Sequence, residues 1–108
     1  MKRGDVVILA ERGALTGKPR PAVVIQSDTV NDLATRVVVA LVGSSGPEAP
    51  AFRIAVLPDA DNGLVTASRI MVDHLVTVAR SSIARQVGRI DPVTMRAVDA
   101  ALRRWLAL

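Results

Sequence analysis

Arg36-Val37-Val38-Val39-Ala40-Leu41-Val42 constrains the fold more than any other stretch of this chain. Its β-branched residues favour a strand. No polar residue alternates with the apolar ones, so both faces of that strand have to be covered. A central strand of this kind needs an apolar layer on each side, and 108 residues make one domain in which to find them.

The neighbouring segments supply short strands. Val6 to Ala10 follows Lys2-Arg3-Gly4-Asp5 as a first strand, and Glu11 to Pro19, with two glycines and a proline, reads as a mobile loop. Pro21 restricts Arg20 to an extended backbone, opening a second strand that ends at Ile25 or Gln26. Ser27 to Asp32 has turn chemistry with room for one helical turn. Gly43 to Pro50 is a loop rich in glycine, serine and proline, and Phe52 to Leu57 alternates in part, as a strand with one wet face does. Pro58 to Gly63 turns the chain, and Leu64 to Val78 holds one or two further strands. Arg80 to Gln86 reads as a short helix before Gly88. Asp91 as N-cap and Pro92 at the first helical position then open a C-terminal helix. Its apolar stripe is Met95, Val98, Leu102, Trp105 and Leu106. The expectation is a single domain over residues 1–108, mainly β, with five to seven strands and a final helix. Such a sheet hides both faces only by curling into a small barrel or by taking a helix or partner over it.

Half of the residues are hydrophobic, yet Phe52 and Trp105 are the only aromatics, so aliphatic side chains build the interior. So much apolar content in a short chain points to burial against a second copy. With no cysteine there is neither a disulfide scaffold nor a thiolate metal site, and one histidine with scattered carboxylates makes no metal cluster. No cofactor is expected. The net charge of +4 favours an anionic partner, nucleic acid or an acidic protein. No secretory pattern and no apolar run of about 18 residues occur, so the expected location is the cytoplasm, away from membranes.

The ordered motifs resemble the MazF/PemK (Kid-like) toxins of bacterial toxin–antitoxin pairs. Gly4-Asp5-Val6 is similar to that family's opening strand, and Arg20-Pro21-Ala22-Val23-Val24-Ile25-Gln26-Ser27-Asp28, followed by Asn31, to its most recognisable motif. Val38 to Ser44, Leu64 to Ser68, Val72 to Val78 and Val87 to Ile90 continue the order. The resemblance implies an SH3-like β-barrel of the CcdB/MazF kind, dimeric, with metal-independent endoribonuclease activity on single-stranded RNA. It also implies inhibition by an acidic cognate antitoxin. Two other functions stand beside it: a CcdB-like poison of DNA gyrase, and an RNA-binding barrel without catalysis.

Metal-free RNA cleavage proceeds by attack of the ribose 2′-OH on phosphorus, and needs proton transfer and cations for the developing charge. The resemblance assigns the catalytic arginine to Arg20, where flanking prolines limit the entropy lost in positioning a guanidinium. It places a catalytic threonine or serine at Gly43, so Ser44 is the candidate hydroxyl, with Ser45 beside it. Asp73 matches an aspartate that some members use with an arginine, whose own matching position is Met71. Strand alternation places Arg69, Met71 and Asp73 on one face, so Arg69 is the candidate partner of Asp73, for catalysis or for structure alone. Arg12, Lys18 and Arg53, with Ser45, are the candidate RNA contacts. His74 is read as structural, Phe52 as core, and Trp105 as helix core.

Overall fold

The computed structural model describes residues 1–10 and 19–108. Among them lie six strands: β1 (Asp5–Leu9), β2 (Arg20–Val24), β3 (Arg36–Gly43), β4 (Arg53–Val56), β5 (Ser68–Ala79) and β6 (Ile83–Arg89). Helix α1 (Asp28–Asn31) is a single turn, and helix α2 (Pro92–Leu106) closes the chain. The strands form one antiparallel sheet in the order β4-β5-β3-β2-β1-β6.

The two-sided strand is β3, and it divides as its sequence requires. Val37, Val39 and Leu41 enter one core with Val7, Leu9, Ala22, Val24, Met71 and Val78. Ala40 and Val42 face the other, with Val6, Val23, Ile70 and Val72 and, from α2, Val98, Ala101 and Leu102. The helix covers one face while the curl of the sheet encloses the other. Edge strands β4 and β6 are not paired with each other, so the barrel is open between them.

The curl has a local cause. A one-residue step on β3, from Ala40 to Leu41, answers to a four-residue step on β5, from Leu75 to Met71. Val72, Asp73 and His74 are thus an insertion that bends the strand. Val72 N donates to Phe52 O of the neighbouring segment at 2.9 Å, which ties the bend to β4.

Two expectations are corrected here. Residues Arg80 to Gln86 are not a helix: Arg80–Ser82 form a 3₁₀ turn, and Ile83 onward is β6. The free edge of β1 takes up this segment as a strand, and tertiary pairing outweighs its helical composition. Trp105 is 48% exposed and so is not helix core; its ring lies against Phe52, centroids 5.1 Å apart. The helix start agrees with expectation, since Asp91 accepts a hydrogen bond from Thr94 N at 3.2 Å and Pro92 follows it. Leu64 to Ala67 carries no strand, leaving β5 as one long element.

The β4–β5 connection is pinned by Asn62, only 1% exposed. Its amide donates to Leu57 O at 2.8 Å and accepts from Leu64 N at 3.0 Å. This loop lies so close on β6 that a Cβ at Gly88 would come within 2.3 Å of the Asn62 carbonyl carbon.

Candidate functional site

Arg20 is the first residue of β2 and pairs with Leu9 of β1. The β2–β3 ladder matches Ala22 with Leu41. The ladder ends there, two residues short of Arg20 on β2 and of Gly43 on β3, so both lie just beyond its last pair at the same end of the two strands. Gly43 pairs with Arg69 of β5, and Arg69 with Ala55 of β4. One row inward, Ala22, Leu41, Met71 and Arg53 line up across the same four strands. Residues two apart share a face, so the rows are neighbours on one surface. Ala22 and Leu41 are fully buried and Met71 is nearly so. Arg20 and Arg69 thus stand at the rim of a dry apolar floor.

The absent side chain at Gly43 has a structural counterpart. A Cβ built there would lie 3.2 Å from Met71 Cε. The methionine's terminal methyl packs where a side chain at position 43 would begin. Gly43 and Met71 therefore belong to one packing arrangement.

Ser44 and Ser45 follow Gly43 and are exposed. Arg69 Nη2 donates to Gly46 O at 3.2 Å and lies 3.5 Å from Ser44 O. Gly46 has a φ of +96°, in the left-handed region that favours glycine, and the turn it makes brings its carbonyl to Arg69.

The expected partnership of Arg69 with Asp73 is not formed. Asp73 pairs instead with Arg53: Nη2 donates to Oδ2 at 2.8 Å, and Nε to Oδ1 at 3.1 Å. The geometry explains the change. Asp73 lies two residues beyond Met71, which faces Arg53, so Arg53 and Asp73 are diagonal neighbours across β4 and β5. Hydrogen bonds from Arg53 hold the Asp73 carboxyl below the usual carboxylate range, outweighing the desolvation that would raise it. Sequence alternation could place Asp73 on a face; only the register of β4 identifies its partner.

Arg12 and Lys18, with the rest of the loop from Glu11, lie outside the described residues. His74 is exposed on the β5 insertion. Beyond Arg69 a shallow cleft of about 270 Å³ opens, lined by Ser44, Glu48, Ser68 and Arg69 and walled by Ala55, Val56, Leu57 and Ala67. Glu48 and Ser68 carried no sequence signal, since loop and strand residues far apart in the chain meet there. Among the described residues no group of three or more His, Cys, Asp or Glu could hold a metal ion. No helix among them is long and apolar enough to cross a membrane.

Comparison with known proteins identifies the family and the fold. Residues 2–106 match the family described as PemK-like, MazF-like toxin of type II toxin–antitoxin system. The chain is 42% identical over 108 residues to a probable endoribonuclease MazF of Mycolicibacterium smegmatis, covering 100% of this chain and 98% of that protein. A mycobacterial endoribonuclease solved with its cognate antitoxin superposes with a TM-score of 0.82 at 20% identity, covering 100% of this chain and 96% of the other. The Mycobacterium tuberculosis toxin MazF-mt6 gives 0.80 at 23% identity, covering 96% and 97%. The chain belongs to the PemK-like, MazF-like toxin family of type II toxin–antitoxin systems.

Proposed function

We propose that this chain is a toxin acting as a sequence-specific endoribonuclease on single-stranded RNA in the cytoplasm. In this reading the 2′-oxygen attacks the adjacent phosphorus, the 5′-oxygen leaves, and a 2′,3′-cyclic phosphate remains. Arg20 binds the phosphorane oxygens with its fork of N–H donors, and the Ser44 hydroxyl adds a further hydrogen bond. Asp73, its oxygens already engaged by Arg53, is a poor proton acceptor. Water takes the 2′-OH proton in this reading, and water returns a proton to the departing 5′-oxygen.

One observation carries the proposal: the β2–β3 register brings Arg20 and the Gly43–Ser44 corner to the same end of the sheet, beside a floor dry enough to strengthen contact with phosphate. The excess of cationic residues supplies the attraction for RNA that does not depend on sequence. The same charge suits an acidic antitoxin segment competing for the site, and a homodimer would cover apolar side chains such as Leu33 and Leu108, each more than four-fifths exposed.

The test is incubation of purified protein with defined single-stranded RNA in excess EDTA. Discrete fragments ending in 2′,3′-cyclic phosphate are expected, and Arg20→Ala should lower the rate by roughly 10²–10³ without unfolding the protein. A folded Arg20→Ala variant with undiminished cleavage would reject the assignment. Binding of RNA without any cleavage by the wild type would leave a non-catalytic barrel.

A further inference from the structure

We infer that the cleft beyond Arg69 is a base-reading subsite in which Glu48 selects guanine at a nucleotide flanking the scissile linkage; the inference rests on the nuclease reading above. The cleft shares Arg69 and Ala55 with the row of residues that begins at Arg20, and its Ser44 directly follows Gly43 of that row. It lies two to three strand spacings away across the sheet, roughly 10–15 Å. An RNA strand crossing that row from Arg20 reaches it with a neighbouring nucleotide.

The chemistry of the lining separates this cleft from a phosphate contact. Among the described residues, Glu48 is the one acidic residue lining it. A carboxylate repels phosphate, so its presence beside a nuclease groove suits a ligand group that brings N–H donors. Bases that are unstacked in single-stranded RNA offer their Watson–Crick edges for such contacts. Guanine alone presents two adjacent donors there, N1–H and the exocyclic amine, and a carboxylate accepts both with its two oxygens. Cytosine and adenine offer the amine beside an acceptor, and uracil has no amine.

The remaining groups fit the same occupant. Ala55, Val56, Leu57 and Ala67 supply apolar walls for the faces of a planar ring. Arg69 provides N–H groups for the guanine O6, while its Nη2 bonds to the loop carbonyls fix where it stands. Ser68 Oγ spends its hydrogen on Thr66 O at 2.9 Å, so towards a ligand it is an acceptor.

A randomised single-stranded RNA library, cleaved by the full chain and sequenced at the cut ends, tests this. The wild type should show guanine enriched at one flanking position. Glu48→Ala should lose that enrichment, selectivity falling about five- to a hundredfold at that position while the others keep theirs. Glu48→Gln should shift the position toward adenine, whose amine and ring nitrogen match an amide. A cleaving Glu48→Ala variant with unchanged base preference overturns the inference and leaves the nuclease reading standing. So does a wild type that enriches another base, or none, at every flanking position. A wild type that cuts no RNA overturns both.

Discussion

Arg53 and Asp73 meet diagonally across β4 and β5, with both carboxylate oxygens taken by one guanidinium and both side chains 16% exposed. A carboxylate held this way is kept ionised. Its folded-state pKa lies below the ordinary value of 3.8, so its contribution to stability is complete above that value. It is lost as the pH falls through the folded value. Asp73→Asn should therefore lower the melting temperature more at pH 7 than at pH 2. An equal loss at both pH values would show that the charge pair is not the cause. Cleavage at neutral pH should fall by less than about 100-fold, whereas loss of a general base costs roughly 10²–10⁴.

Gly43 and Met71 form a coupled pair, since a Cβ at position 43 would press on Met71 Cε at 3.2 Å. In isolation Gly43→Thr gains strand propensity and loses packing, two opposed effects of about 1 kcal/mol each. The coupling is the sharper quantity. In a Met71→Ala background, Gly43→Thr should be more favourable by at least about 0.5 kcal/mol than in the wild type. Denaturant unfolding of the four proteins in the cycle measures it. Additive effects would mean that the methyl group does not occupy the space assigned to it.

Much of this fold was legible in the sequence because β3 states its own environment. An unbroken apolar run demands two cores, and two cores are present. The Asp91-Pro92 helix start was equally local in origin. Strand β6 was not legible, because Arg80 to Gln86 acquires its form from the open edge of β1, more than seventy residues earlier in the chain. The site divides in the same way. Arg20 announces itself through its flanking prolines, whereas the partner of Asp73 and the surroundings of Glu48 depend on which strands come to lie together.

The loop laid against β6 should be intolerant of volume. Gly88→Ala would force its Cβ to within 2.3 Å of Asn62 backbone and 2.4 Å of Asp61 O, neither the end of a flexible side chain. A loss of more than about 2 kcal/mol is expected, at the upper end for overpacking. Asn62→Ala removes bonds to Leu57 O and Leu64 N and should cost about 2 kcal/mol. Thermal melts of both variants check this. Wild-type stability of Gly88→Ala would mean that the loop stands off the strand.

Arg20 should prove sensitive to the shape of its cation as well as to its charge. Pro21 limits it to extended backbone, so the guanidinium leaves the rim of the floor along a restricted path. Lysine in its place keeps the positive charge but replaces a planar fork by a single ammonium, which cannot take two phosphate oxygens in parallel. Arg20→Lys should then bind RNA with a KM within about threefold of wild type, because the long-range attraction is preserved. Its kcat should fall at least tenfold, since the lost contact is made to charge that develops only in the transition state. Steady-state cleavage of a short RNA separates the two parameters. If kcat is retained and KM alone rises, Arg20 serves as an anchor for the strand and the reacting phosphate is held by another group.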